Sequence, residues 1–183
     1  MIDPKEFLFT VDENNQPIKS VPRNRAHAEG IWHRSTGVWV VNDGKVLCQK
    51  RSLKKDTHAG MWQADFGGHM TPKEIYLDNA QKELEEETGI KLDRKNFKQV
   101  MTYRYSGIDQ TTGIDDREFM GIFVANWGGD ISKLKLEADE VQAVAWRTLD
   151  ELAKLIGHDD SWVAHGYESE LISELHGKNW GQL

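Results

Sequence analysis

Residues 68–90 read GHMTPKEIYLDNAQKELEEETGI, and the fold follows from how this stretch is read. The run from Tyr76 to Thr88 predicts a helix, with Gly89 as its C-cap. With Glu83 at zero on a helical wheel of about 100° per residue, Glu86 falls at about −60° and Glu87 at about +40°. Leu77, Ala80 and Leu84 fall between about +60° and +120° on the same wheel. The acidic stripe therefore runs beside the apolar one. A helix so built packs on a sheet and carries its acids to the border of the core.

That arrangement opposes helix stability. Glu83 and Glu87 are like charges at i,i+4, a conflict of a few tenths of a kcal/mol. The acids also crowd the helix C-terminus, where the macrodipole is already negative. A divalent cation would compensate, and clustered carboxylate oxygens suit Mg²⁺ or Mn²⁺. The competing reading is a solvated acidic face, the usual fate of a charge run.

Outward from this helix the β signal dominates. Gly37–Val41 and Val46–Arg51 read as strands joined by a turn at Asn42-Asp43-Gly44. Residues 52–61 read as a basic loop, and Trp62–Met70 as a strand or turn ending in Gly67-Gly68. Phe97–Tyr105, Glu118–Trp127 and Val141–Trp146 read as further strands, with a polar loop over 106–116. Thr148 and Glu151 form a capping box opening a helix on Leu149, Leu152 and Ile156. A last helix is expected over about 161–176, within a C-terminal segment 158–183. Residues 1–30 read as an N-terminal extension with a β-hairpin at Phe7–Ser20 and irregular chain beyond it. The order of strands and helices predicts one α/β domain over 1–183, a mixed sheet with helices on both faces.

The whole chain has 183 residues, a formal charge of −7 and a single cysteine. One cysteine excludes a disulfide framework and a cysteine-based zinc site. An acidic chain is a poor binder of nucleic-acid duplexes, whose affinity comes from cations on phosphates. The apolar runs are too short to span a membrane, and no signal peptide opens the chain, so a cytoplasmic location is expected. Anchors for P-loop, zincin, serine-hydrolase and dithiol chemistry are missing.

Written as a pattern, the opening stretch is Gly68-x5-Glu74-x7-Lys82-Glu83-Leu84-x-Glu86-Glu87-x-Gly89-Ile90. It resembles the Nudix box, GX5EX7REUXEEXGU with U aliphatic. Every fixed position matches but one, where Lys82 stands for the family's Arg. Shorter segments, among them Arg25-Ala26-His27, His33-Arg34, Gln49-Lys50-Arg51 and Gly67-Gly68-His69, resemble the branch related to isopentenyl-diphosphate isomerase. The resemblance implies a Nudix α/β/α sandwich and a hydrolase acting on a small-molecule diphosphate. It implies Glu83, Glu86 and Glu87 as ligands of Mg²⁺ or Mn²⁺, with the Gly68 carbonyl as a further ligand. One carboxylate would take the proton of the attacking water, from among Glu83, Glu86, Glu118 and Glu140. The rival implications are an isomerase of prenyl diphosphates and a silent ligand-binding module. In the isomerases a cysteine precedes the Gly-His pair. Here Gly67 stands there, while Glu118 sits where the isomerases keep a glutamate.

The remaining candidates have bland alternatives. Arg51, Lys54 and Lys55 either receive phosphates or belong to a solvated loop. Trp62, Tyr103 and Tyr105 either stack on a flat group of the substrate or simply line the core. His69 could ligate a metal, with His27 and His33 if the isomerase-like geometry holds, although a lone histidine more often serves structure. Cys48 reads as a small buried hydrophobe. Trp162 and Trp180 either cover the core or make a homodimer contact.

Overall fold

The computed structural model describes residues 6–109 and 112–178. The strand at its centre is β3 (His33–Asn42), in which Ser35 to Val41 are all buried. Its neighbours are β4 (Lys45–Arg51), antiparallel through the Asp43-Gly44 turn, and β7 (Asp115–Asn126), parallel over nine residue pairs from His33↔Glu118 to Val41↔Asn126. The outer partner of β7 is the antiparallel β6 (Phe97–Ile108). Past β3, β4 pairs with the short β5 (Trp62–Gln63) on one edge and with β8 (Val141–Thr148) on the other. The result is a mixed six-stranded sheet, as expected.

Both faces of β3 are apolar because both are covered. Successive strand residues point to opposite faces. Val38 and Val40 join Phe123, Ala125 and Leu47 in the core beneath α2 (Tyr76–Thr88). Trp39 and Val41 join Met120, Ile122 and Val124 in the core beneath α3 (Leu149–Leu155) and α4 (Glu168–Leu175). The expected capping box of α3 is formed in full by Thr148 and Glu151. On α2, Ala80 and Leu84 are wholly buried. Burying one leucine contributes roughly 1.5–3 kcal/mol, which outweighs the few tenths that the Glu83–Glu87 pair costs. No helix among the described residues is long and apolar enough to cross a membrane.

The differences from the sequence reading have local causes. The N-terminal extension has the turn at 12–16, with a bridge Val11↔Pro17, but β1 (Phe7–Leu8) pairs with β2 (Val21–Pro22) instead. Residues 23–28, expected to be irregular, form α1 (Arg23–Ala28), which Pro22 precedes. β6 and β7 are longer than expected, running to Ile108 and from Asp115, so 106–108 and 115–116 are strand instead of loop. The last helix starts at Glu168, not near 161. Before it, the chain pairs with β5: Trp62 N–H donates to Ser161 C=O and Val163 N–H to Trp62 C=O. Gly166, at φ 106°, then turns the chain in a conformation that side chains disfavour. Trp162 is buried and stacks on Trp62, so it covers the core, whereas Trp180 lies outside the described residues.

The segment before α2 leans against β3. Val38 N–H donates to Phe66 C=O at 2.7 Å and Thr36 N–H to Gly68 C=O at 3.0 Å. Between them, a β-carbon on Gly67 would fall inside the Thr36 carbonyl oxygen and 3.1 Å from Gly37 Cα. Both obstacles are backbone, so the strand itself would have to move. Gly67→Ala should therefore lose about 1–3 kcal/mol, the cost of overpacking, and lower Tm by roughly 2–10 °C. A melting curve unchanged from wild type would show that the two segments are not held this close.

Candidate functional site

The cleft lies at the end of the sheet where β3 and β7 begin, and has a volume of about 880 Å³. The acidic stripe of α2, the loops 52–61 and 137–140, the β6–β7 hairpin and His165 all contribute to its walls.

The phase of α2 explains how deep each acid sits. Glu87, nearest the apolar stripe, is 5% exposed. The side chain of Glu83 is 16% exposed, and that of Glu86, farthest round the helix, 60%. Gln49 Nε2 donates to Glu87 Oε2 at 3.0 Å. Burial, and then the Glu83 carboxylate, push the Glu87 carboxyl up to about 8. Burial also raises Glu83, against the pull of Lys82. Lys82 Nζ lies 3.2 Å from Glu83 Oε1, 3.8 Å from Glu74 and 3.9 Å from Glu86. It thus supplies charge among three carboxylates without the planar fork an arginine would bring. Asn79 binds this group together: its amide donates to Glu83 Oε1 at 3.2 Å, Glu74 Oε2 at 3.3 Å and His69 C=O at 3.2 Å, while Thr36 Oγ1 donates to its carbonyl at 2.6 Å.

Gly68 is where the chain passes closest to the acids, since a β-carbon there would lie 2.7 Å from Glu83 Oε2. One lone pair of its carbonyl is already taken by Thr36 N–H. Arg51 lines the cleft but spends its donors locally, on Gln63 Oε1 at 2.9 Å and on Thr57 C=O at 3.1 and 3.3 Å. Burial lowers its pKa. Lys55 pairs with Glu140, and Lys54 with Asp139, across the cleft's rim. Tyr105 and Glu118 also line the cleft. Trp62 and Tyr103 do not: Trp62 stacks on Trp162 beneath Arg147, and Tyr103 packs on Tyr167. These two rings belong to the core face of the sheet.

Beside the acids the fold assembles a second cluster. The parallel register sets His33 next to Glu118, the bridge Ser35↔His69 brings in His69, and the last turn of α1 delivers His27. One ligand atom from each of His27, His33, His69 and Asp116 lies within 4.8 Å of the others. Glu118 Oε1 is 3.3 Å from His69 Nε2 and 3.6 Å from His33 Nε2, and Asp116 Oδ1 is 3.3 Å from His33 Nε2. His33 Nδ1 is fixed on Ile31 C=O at 2.8 Å, which turns Nε2 inward. Both ring nitrogens of His27, Nε2 of His33 and Oδ1 of Asp116 are buried and make no directed hydrogen bond. Burial and then the His69 ring hold His27 down to about 4. Burial opposes charge on His33 too, but contact with Asp116 and Glu118 prevails and raises it to about 10. Glu118 is held well below the usual carboxylate range by His33 and His69, despite its burial. Three imidazoles and the Asp116 carboxylate converge on one point, with Glu118 beside them and several of their buried polar atoms without a hydrogen-bond partner, a donor set that suits a divalent transition metal. Asp116 and Asn79 are not singled out in the sequence, because their roles depend on strand register and on how α2 packs against β3.

A model of the NUDIX domain matches residues 31–166. An uncharacterized Nudix hydrolase of Clostridium acetobutylicum is 31% identical over 168 residues, 89% of this chain and 80% of that protein. The isopentenyl-diphosphate Delta-isomerase of Kocuria rhizophila is 31% identical over 146 residues, 79% of this chain and 80% of that protein. Nudix hydrolase 3 of Arabidopsis thaliana is 28% identical over 77% of this chain, which spans only 19% of that larger protein. The fold is similar to the crystal structure of DR0079 from Deinococcus radiodurans, with a TM-score of 0.72 at 18% identity, covering 93% of this chain and 99% of that one. The box on α2, the sheet that carries it and these likenesses agree: the chain belongs to the Nudix family.

Proposed function

We propose that the chain is a metal-dependent hydrolase of a small-molecule diphosphate. The observation that carries this is the burial of Glu87 beside Glu83 with no ion pair to it among the described residues, at the edge of a cleft large enough for a diphosphate and what it is linked to. Glu83, Glu86 and Glu87 would hold Mg²⁺ or Mn²⁺, with the second lone pair of the Gly68 carbonyl as a further ligand. The histidines 27, 33 and 69, with Asp116 and Glu118, would hold a second divalent cation of transition-metal type. Bound there, such cations neutralise phosphate charge and favour attack at phosphorus. The residues supply the rest. Arg51 and Lys55 orient the phosphate oxygens, and Tyr105 flanks the linked group. A carboxylate takes a proton from water as its oxygen bonds to phosphorus and the bridging P–O bond breaks, its electron pair leaving with the second phosphate. Glu83, Glu86, Glu118 and Glu140 all line the cleft as candidates for that base. A phosphate-release screen over nucleotide, sugar-nucleotide and prenyl diphosphates, with Mg²⁺ and Mn²⁺, tests the reading.

The second reading, isomerisation of a prenyl diphosphate, is favoured by the relatives of that name and by Glu118 and Tyr105 on the cleft wall. It needs an acid and a base on two sides of the substrate. Gly67 offers no side chain, and the Thr36 carbonyl fills the space one would occupy. Incubation with isopentenyl diphosphate and either metal should yield no dimethylallyl isomer, and its steady appearance would overturn the hydrolase reading.

Removing a carboxylate oxygen from the acidic stripe should slow the reaction while sparing the fold. Glu86→Gln and Glu87→Gln should each lower kcat by at least ~10²-fold, and near-normal turnover in either would refute the metal assignment.

The buried acid also predicts a pH-dependent stability. Glu87 is held at about 8 in the folded protein against 4.5 in its ordinary state. The folded state then binds the extra proton, so this contribution is complete below the unfolded value and is lost as pH rises through about 8. Metal-free protein should lose Tm between pH 5 and 8. Glu87→Gln should flatten that slope, and millimolar Mg²⁺ should raise Tm at pH 8 by binding the folded state alone. A slope equal in wild type and variant would argue against the buried acid.

A further inference from the structure

In the segment 161–167 one residue, His165, reaches the cleft wall, and it belongs to neither metal cluster. We propose that His165, clamped by Glu168, determines specificity: its Nε2 donates a hydrogen bond to an oxygen of the group linked to the diphosphate, selecting a polar group over a hydrocarbon. This inference rests on the hydrolase reading above and names the residue that recognises the non-reacting part of the substrate.

The clamp is specific. Glu168 Oε1 accepts from His165 N–H at 2.7 Å and sits 3.1 Å from His165 Nδ1, and Oε2 accepts from Gly166 N–H at 2.8 Å. The two backbone donors alone would satisfy the carboxylate at the start of α4. The imidazole contact adds nothing to that turn, but it fixes Nδ1 as the inward nitrogen and leaves Nε2 as the other end of the ring. The ring is held on two more sides. It stacks on Tyr167 at 5.9 Å and 17°, and meets Tyr105 edge-on at 5.4 Å and 79°. Tyr167 is itself buried and donates to Asp65 Oδ2 at 3.1 Å. The pairing of 161–163 with β5 and the turn at Gly166 anchor the segment at both ends.

The remaining freedom of the ring faces the cleft. His165 lines it, its side chain is 16% exposed, and Nε2 hydrogen-bonds to no protein group among the described residues. Burial opposes protonation, but the Glu168 contact and the Asp65 charge outweigh it and raise the pKa, which favours a proton on Nε2 as well as on Nδ1. A donor fixed in place before the substrate arrives rejects a partner without an acceptor, because its own hydrogen bond to water is then lost without replacement. An isoprenoid chain offers no such acceptor, whereas a sugar, a base or a further phosphate does.

The test compares UDP-glucose with isopentenyl diphosphate in wild type, His165→Leu and His165→Gln. His165→Leu should reduce the ratio of kcat/KM for UDP-glucose over isopentenyl diphosphate by about 10- to 100-fold, mainly through KM. His165→Gln, which keeps an N–H donor, should recover part of it. An unchanged ratio, or equal losses on both compounds, would overturn the proposal. The binding arm needs no turnover: with Glu87→Gln protein and ¹⁵N-labelled histidine, UDP-glucose at millimolar concentration should shift the His165 Nε2 resonance, and inorganic pyrophosphate should not. A wild type that hydrolyses no diphosphate refutes the hydrolase reading by itself. The His165 inference then stands if UDP-glucose moves the resonance and falls if it does not.

Discussion

The structure depends on the parallel ladder between β3 and β7, nine residue pairs from His33↔Glu118 to Val41↔Asn126. A parallel pair is stable only with both faces covered, and that requirement calls α2 to one face and α3 with α4 to the other. The same ladder fixes the chemistry at its open end. Its first pair places an imidazole against a carboxylate, and the neighbouring bridge Ser35↔His69 adds another imidazole. A one-residue slip would send each of these side chains to the wrong face. Register therefore sets both core packing and the geometry of the cleft.

Within that frame the two clusters are charged in complementary ways. Glu83 and Glu87 are acids brought together at a helix end, where repulsion and the macrodipole oppose them. The apolar contacts of Ala80 and Leu84 hold the helix there regardless. The histidine cluster is different: burial and then the His69 ring drive His27 down, while contact with Asp116 and Glu118 carries His33 up against its burial, within one small volume. Each cluster is a local departure from the most stable side-chain choice, carried by packing elsewhere.

Much of this was legible in the sequence. The periodicity of α2 predicted its limits, Tyr76–Thr88, and its wheel placed the acidic stripe beside the apolar one, at the border of the core. The hairpin β3–β4 and the capping box at Thr148 were also readable, because turns and caps are local. What was not legible depends on distant partners. Residues 23–28 are too short and polar to announce a helix. Residues 161–167 have apolar spacing that resembles a helix, yet β5 draws the chain into pairing and Gly166 ends it. For that reason His165 was invisible as a cleft residue. Tyr103 and Tyr105 share a face of β6 and both pack on the same core, but two residues along a strand is about 7 Å, enough for Tyr105 alone to reach the cleft. The gathering of His27, His33 and His69 was foreseen only as a condition on geometry, and the register is what meets it.

The contact between Gly67 and the Thr36 carbonyl also bears on history. A catalytic side chain that is merely deleted leaves a hollow, and a single reversion can refill it. Here the hollow is gone, because the neighbouring strand occupies it and holds it with the hydrogen bonds Val38 to Phe66 and Thr36 to Gly68. A cysteine placed at position 67 would meet main chain, and main chain cannot be exchanged one codon at a time. A side chain at position 67 therefore requires the strand to move aside first, which no single substitution at that position supplies.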